Sequence, residues 1–128
     1  PLVLALRGEL GAGKSVLARA VARGAGVAGS LPSPTFNLVY VYDGGGDVAV
    51  YHLDLYRLES AAEVWELGWD ELGVGRQIVL IEWPERAEAL LLPDRWDIRL
   101  AIPEPDARVR DVSAVRMGSA PPIPPVNG

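Results

Sequence analysis

The chain has 128 residues, a formal net charge of −5 and no cysteine. This length predicts one domain with one core, and the lack of cysteine excludes disulfides and thiolate chemistry and favours a cytoplasmic protein. The acidic balance, without a run of Lys or Arg, argues against nucleic-acid binding through a basic face, and no apolar stretch reaches the ~20 residues of a membrane span.

The first predicted elements are a buried strand over residues 2–6 and a helix over residues 16–23. Between them lies Gly-Glu-Leu-Gly-Ala-Gly-Lys-Ser, residues 8–15. Strand, glycine-rich loop, Gly-Lys-Ser and helix form the P-loop arrangement, in which backbone N–H groups and the helix N-terminus surround a phosphate. Lys14, the only lysine of the chain, is expected to reach the β- and γ-phosphates, and Ser15 to hold Mg²⁺. A glycine turn before an ordinary helix is the weaker alternative.

Two prolines make residues 30–36 an extended loop in the prediction. Thr35 lies where a switch-loop threonine would approach Mg²⁺ and the γ-phosphate. A threonine that caps the following strand explains the same position equally well.

Residues 38–42 and 48–53 are two β-rich runs on either side of a glycine turn, which predicts a hairpin and therefore a mixed sheet. Alternation places His52, Asp54 and Tyr56 on one face of the second strand. An acid at a strand end can orient an attacking water or bind a metal-bound water, so we favour a functional role for Asp54. His52 is better explained as a hydrogen-bonded structural residue than as a base.

A helix is predicted over residues 59–67, because Ser60 and Glu63 have the spacing of a capping box. Its apolar side chains are expected to pack together as a stripe: Val64, Trp65 and Leu67.

Residues 77–81 predict a central strand that is buried on both faces. Glu82 follows it directly, in the Walker B pattern of an acid that holds Mg²⁺ directly or through water. Trp83 either stacks at the site or belongs to the core, and Pro84 begins a predicted helix.

The last predicted elements are a half-exposed strand over residues 96–102 and its antiparallel partner over residues 108–115. Arg108 or Arg110 could reach the nucleotide, although arginines on surface strands usually have no catalytic role. Residues 117–128, rich in Pro and Gly, are expected to form a disordered tail behind a P-loop ATPase domain of residues 1–116. The expected fold is α/β, a three-layer P-loop NTPase fold with a mixed central sheet.

Five motifs stand in a fixed order along the chain: Gly-Glu-Leu-Gly-Ala-Gly-Lys-Ser (8–15), Ser-Pro-Thr-Phe-Asn-Leu-Val (33–39), His-Leu-Asp-Leu-Tyr-Arg-Leu (52–58), Glu-Leu-Gly (66–68) and Ile-Glu-Trp-Pro-Glu-Arg (81–86). Together they closely resemble the TsaE family, the small ATPases of bacterial tRNA threonylcarbamoyladenosine synthesis, over residues 3–115.

This resemblance implies a protein that binds ATP and Mg²⁺ and slowly hydrolyses ATP to ADP. Its implied partners are TsaD and TsaB, which transfer threonylcarbamoyl to adenosine 37 of tRNA, so that contact with tRNA is only indirect. The implied phosphate-binding residues are Gly11, Ala12, Gly13, Lys14, Ser15 and Val16, and the implied Mg²⁺ ligands are Ser15 and Glu82. The implied catalytic residues are Lys14, Thr35, Asp54 and Glu82, with further nucleotide contacts from Asp54, Trp83 and Arg108.

The chain departs from the family pattern at two places. Its P-loop ends in Ser15, where the family usually has Thr. From the resemblance we also expect the given sequence to begin after the N-terminal segment that helps to cover the nucleotide base in the family, either by truncation or as a compact form. Two other functions are open from the sequence. A small-molecule kinase would need a second substrate pocket and an arginine-rich lid, and a non-catalytic nucleotide-binding subunit would need neither.

Overall fold

The computed structural model of the chain describes residues 1–9, 12–27, 39–101 and 111–122. Within these ranges the structure has six strands, one α-helix and three 3₁₀ helices. They are β1 (Leu2–Arg7), α1 (Lys14–Gly24), β2 (Val39–Asp43), β3 (Ala49–Asp54), 3₁₀ helices at Ala61–Leu67 and Trp69–Glu71, β4 (Gln77–Glu82), a 3₁₀ helix at Pro84–Leu90, β5 (Arg95–Ala101) and β6 (Asp111–Met117). Among the described residues, no helix is long and apolar enough to cross a membrane.

All six strands form one sheet in the order β2-β3-β4-β1-β5-β6. The four inner strands run parallel, while β2 and β6 pair antiparallel with β3 and β5. The predicted hairpin and the predicted antiparallel partner of the last inner strand are therefore confirmed, and the sheet is mixed.

Two apolar clusters flank the sheet, because consecutive strand residues point to opposite faces. The cluster on the α1 face contains Leu4, Leu6, Ala18, Ala22, Val50, Leu80 and Ile98. The cluster on the face of the 3₁₀ helices contains Val3, Leu53, Val64, Trp69, Val79, Ile81 and Leu91. The three predicted layers are thus α1, the sheet and the 3₁₀ helices.

Trp65 does not pack in the predicted stripe, and its 53% exposure corrects that expectation. The helix Ala61–Leu67 is 3₁₀, with three residues per turn, so residues three apart share a face. Val64 therefore lies on the inner face with Ala61 and Leu67, while Trp65 is turned outward. The capping box of Ser60 and Glu63 is present as predicted.

The buried side chain of Arg7, the last residue of β1, joins the Pro84–Leu90 helix to the sheet. Arg7 donates to Glu88 at 3.0 Å and to Asp97 at 3.1 Å, and Asp97 also pairs with Arg95 at 3.1 Å. The end of β1, and with it the start of the P-loop, is therefore tied to both a helix and β5.

The described part of the predicted tail, residues 117–122, makes contacts with the rest of the fold. Met117 is the last residue of β6, Ala120 is buried, and the indole N–H of Trp96 donates to the Pro121 carbonyl at 2.7 Å. Residues 123–128 lie outside the described residues, so that part of the prediction stays untested.

Candidate functional site

Glu82 and Asp54 lie side by side at the carboxyl ends of parallel strands. Glu82 ends β4 and Asp54 ends β3, and the two residues are partners in register. On the other side of β4, Glu82 pairs with Leu6 of β1, two residues before Gly8. In open α/β sheets, ligands bind outside the carboxyl ends of the strands. The fold therefore brings the P-loop and both predicted acids to one edge.

The P-loop backbone takes conformations that favour glycine at both ends. Gly8 has φ 152°, and a Cβ there would lie 2.5 Å from the Leu100 carbonyl oxygen. Gly13 has φ 102° and is the N-cap residue of α1. Within the described residues no side chain caps this helix, and its first turn is free of acids, so its N–H groups remain available for an anion.

A hydrogen-bonded chain links α1, β4 and β3. The Ser15 hydroxyl donates to Glu82 Oε1 at 2.8 Å, and His52 Nε2 lies 2.5 Å from Glu82 Oε2. Glu82 and His52 are 3% and 2% exposed, so neither group can exchange these partners for bulk water. The two contacts fix the Glu82 carboxylate between α1 and β3. His52 is buried and hydrogen-bonded, as its structural interpretation predicts.

Lys14 is folded inward, although it carries a charge. Its Nζ donates to the Gly8 carbonyl at 2.5 Å and lies 3.2 Å from the centroid of the Trp83 ring. Burial lowers the pKa of Lys14, against the opposing attraction of Glu85, Glu82 and Asp54. The cation is thus placed among acids at the mouth of the P-loop.

Asp54 is half-buried beside Glu82. Its Oδ1 accepts a hydrogen bond from the Tyr56 backbone N–H at 3.0 Å. Burial raises the pKa of Asp54, with Glu82 adding to the rise, while the Tyr56 hydrogen bond, His52 and Lys14 act to lower it. A carboxyl group with a raised pKa at a strand end can accept a proton from water more readily than an ordinary aspartate.

Trp83 lines two neighbouring cavities. The smaller has about 280 Å³ and is lined by Gly13, Lys14, Ser15, Val16, Asp54, Glu82 and Trp83. The larger has about 600 Å³ and is lined by Gly8, Glu9, Ala12, Trp83, Glu85, Arg99, Leu100 and Ala101. The smaller cavity therefore gathers most of the predicted site residues, and the larger lies against the beginning of the P-loop.

Sequence reasoning missed Glu85 and Arg99, which line the larger cavity. Arg99 lies near the carboxyl end of β5, next to β1, and that position was the available signal. Gly11, Thr35 and Arg108 lie outside the described residues, so their predicted roles stay predictions. Across residues 1–9, 12–27, 39–101 and 111–122, no three His, Cys, Asp or Glu side chains form a metal-binding group.

Similarity to known proteins shows the family to which the chain belongs. The family model for threonylcarbamoyl adenosine biosynthesis protein TsaE matches residues 1–111. The chain belongs to the TsaE family. The predicted resemblance is therefore confirmed over most of the chain.

Two TsaE relatives and one solved structure illustrate the similarity. The tRNA threonylcarbamoyladenosine biosynthesis protein TsaE of Rickettsia felis is 36% identical over 108 residues, which are 84% of this chain and 62% of that protein. The TsaE of Bacillus subtilis is 36% identical over 113 residues, 88% of this chain and 70% of that protein. The crystal structure of Bacillus subtilis YdiB superposes with a TM-score of 0.68 and 28% identity over 91% of this chain and 69% of that chain.

These matches place the fold among P-loop NTPases, as the sequence predicts. The matched region is also short relative to the family. It spans 62% of the Rickettsia felis TsaE and 55% of the Rickettsia conorii TsaE. As a member of the TsaE family, the chain is related to proteins of tRNA threonylcarbamoyladenosine biosynthesis.

Proposed function

We propose that this chain binds ATP with Mg²⁺ and slowly hydrolyses it to ADP and phosphate, in support of tRNA threonylcarbamoyladenosine formation. The observation that carries the proposal is the hydrogen bond from Ser15 to Glu82 at 2.8 Å. It joins the P-loop hydroxyl to the acid at the end of the neighbouring parallel strand. These two groups hold Mg²⁺ in P-loop NTPases, and TsaE membership gives the pair a biological setting.

The residues present fit Mg²⁺ better than a metal that needs a full protein cage. Mg²⁺ usually keeps several waters and takes one or two protein ligands together with substrate phosphates. Ser15 and Glu82 supply two oxygen ligands of this kind, while the described residues form no larger cluster of metal ligands. When bound, Mg²⁺ would neutralise charge on the β- and γ-phosphates.

The chain's own residues divide the remaining tasks. The N–H groups of α1 after Gly13 would bind phosphate oxygens, and Lys14 would add a positive charge to them. His52 holds the Glu82 carboxylate in place through the 2.5 Å contact. Asp54, whose pKa is raised by burial, would orient the attacking water and accept its proton. Of the residues not described, Thr35 would be the switch threonine and Arg108 a late nucleotide contact.

TsaD and TsaB are the proposed partners, and contact with tRNA would be indirect, through that complex in the cytoplasm. The net charge of −5 and the lack of a run of Lys or Arg in the sequence support this arrangement, because direct binding of the tRNA backbone depends on clustered positive charge. In this role the protein would use ATP to drive repeated turnover of the partner complex and would not form the threonylcarbamoyl bond itself.

The test is ATP hydrolysis by the purified chain with Mg²⁺, alone and with TsaD–TsaB of the same organism. We expect slow hydrolysis that the partners stimulate and that Lys14→Ala lowers by roughly 10²- to 10³-fold, the usual cost of removing one group that stabilises transition-state charge. Val74→Ala is the control, because Val74 is 65% exposed and precedes the amino end of β4. Hydrolysis that neither the partners nor Lys14→Ala alters would reject the proposal.

The larger cavity favours a second candidate, a small-molecule kinase. Its volume of about 600 Å³, beside the start of the P-loop, could hold a phosphate acceptor, with Glu9, Glu85 and Arg99 as polar contacts. A metabolite screen with ATP that is radiolabelled at the γ-phosphate separates the ATPase from the kinase. Label in inorganic phosphate supports the ATPase, and label in a metabolite supports the kinase.

A further inference from the structure

The Lys14 side chain is enclosed by an aromatic ring and a carbonyl group. Its Nζ lies 3.2 Å from the centroid of the Trp83 ring and donates to the Gly8 carbonyl at 2.5 Å. The distance to the ring is well inside the ~6 Å limit for a cation–π contact. Lys14 is only 4% exposed, so the ring and the carbonyl replace most of the water around the ammonium group.

The Trp83 ring is itself held in place. Trp83 has φ 58°, in the left-handed region that bulky residues rarely adopt, and it is followed by the buried Pro84. The Tyr56 ring packs against the Trp83 ring, with the two centroids 5.0 Å apart. Tyr56 is itself fixed by the hydrogen bond that its backbone N–H donates to Asp54. Backbone strain at a functional site indicates that the surroundings impose the conformation. The indole is therefore positioned from two sides, with its face toward Lys14.

We propose that Trp83 is a positioning residue that holds the Lys14 ammonium group against the Gly8 carbonyl until a nucleotide phosphate draws it away. The proposal rests on the proposed function of the P-loop as a nucleotide site. Binding of the nucleotide then exchanges a cation–π contact for a contact with phosphate. The ring competes with the phosphate for Lys14, so it lowers the apparent affinity and keeps the cation inside the site before the nucleotide arrives.

The single lysine of this chain allows a direct test. Protein labelled with [¹³C]lysine gives one Cε–Hε correlation in an NMR spectrum, and protons above the face of an indole ring are shifted upfield. We expect an upfield Hε resonance in the nucleotide-free protein, a smaller shift in Trp83→Phe and a free-lysine position in Trp83→Leu. Saturating ATP and Mg²⁺ should move the wild-type resonance toward the free-lysine position.

Trp65→Leu is the matched control, because Trp65 is 53% exposed in another 3₁₀ helix and its loss should leave the resonance unchanged. A wild-type resonance at the free-lysine position, or one that Trp83→Leu leaves in place, overturns the proposal. If Trp83→Leu does not fold, the reduced shift in Trp83→Phe decides, because phenylalanine keeps a ring but offers a weaker cation–π contact.

Calorimetric titration with ATP and Mg²⁺ gives the second measurement. We expect the Kd to fall by about two- to thirtyfold in Trp83→Leu, the factor that corresponds to the usual range of a cation–π contact, with Trp83→Phe between. Weaker binding by Trp83→Leu would assign the ring to the nucleotide itself and overturn the holding role. Failure of the wild type to bind ATP, with the upfield resonance present, would reject the proposed function and leave the Lys14–Trp83 contact standing.

Discussion

Replacing His52 with Ala tests the hydrogen-bonded chain that fixes Glu82. The change removes the partner 2.5 Å from Glu82 Oε2. It leaves a carboxylate that is 3% exposed and that accepts one hydrogen bond, from the Ser15 hydroxyl at 2.8 Å, among the described residues. An unsatisfied buried group costs about 1–3 kcal/mol, and a charged group costs more, so we expect a loss of about 3 kcal/mol in the free energy of unfolding. With an unfolding entropy of about 2.1 cal/mol/K per residue, that loss corresponds to a Tm lower by ~10 °C.

A double-mutant cycle separates the hydrogen bond from the lost packing of the imidazole ring. Urea unfolding of His52→Ala, Glu82→Ala and the double variant should give a coupling of about 1–2 kcal/mol between the two sites. His52→Gln can keep an N–H donor and should recover part of the loss. Single-variant effects that add to within about 0.5 kcal/mol would refute the reasoning, because the two residues would then act independently.

Three further changes test other parts of the site. Gly8→Ala places a Cβ 2.5 Å from the Leu100 carbonyl oxygen and should lower the free energy of unfolding in urea by about 1–3 kcal/mol. Gly24→Ala is the control, because a Cβ there meets nothing within 4 Å and should be neutral or stabilising. Equal effects of the two variants would contradict the predicted clash. Burial raises the pKa of Asp54, so its carboxyl group holds a proton more tightly in the folded chain than in the unfolded chain. Ionisation of Asp54 therefore costs the folded chain stability as the pH rises through the raised pKa. The stability of Asp54→Asn relative to the wild type should therefore increase from about pH 4 to about pH 7 in metal-free urea titrations, and a constant difference would contradict it. Lys14→Met should abolish ATP binding in calorimetry, because it removes the positive charge proposed to meet the phosphates. Burial lowers the pKa of Lys14, so the charge adds little to folded stability and the Tm should change little; a large loss of Tm would show a structural role instead.

Local sequence signals predicted the elements that carry the site. Glycine spacing between an apolar strand and a helix placed the P-loop, and β-rich runs around a glycine turn placed the hairpin of β2 and β3. The continuous apolar run before Glu82 predicted a strand buried on both faces, and β4 lies between two parallel neighbours. Each of these signals is local, because it depends on residues within one element and its turns.

Contacts between distant parts of the chain could not be predicted in this way. The enclosure of Lys14 by Trp83 depends on a left-handed backbone at Trp83 and on the packing of Tyr56, and neither leaves a pattern in the sequence. The exposure of Trp65 depends on a 3₁₀ rather than an α-helical turn, and the two differ by less than one residue per turn. The position of Arg99 at the larger cavity depends on the pairing of β5 with β1, which the sequence does not show.

The Mg²⁺ dependence of ATP affinity tests the central claim most directly, namely that Ser15 and Glu82 form the metal-binding part of a nucleotide site. Calorimetric titration of ATP into wild-type protein, Ser15→Ala and Glu82→Gln, each with Mg²⁺ and with chelator, gives the comparison. We expect Mg²⁺ to strengthen ATP binding in the wild type and to have little effect in either variant, while binding in chelator stays similar in all three. A Mg²⁺ effect of the same size in both variants would contradict the account.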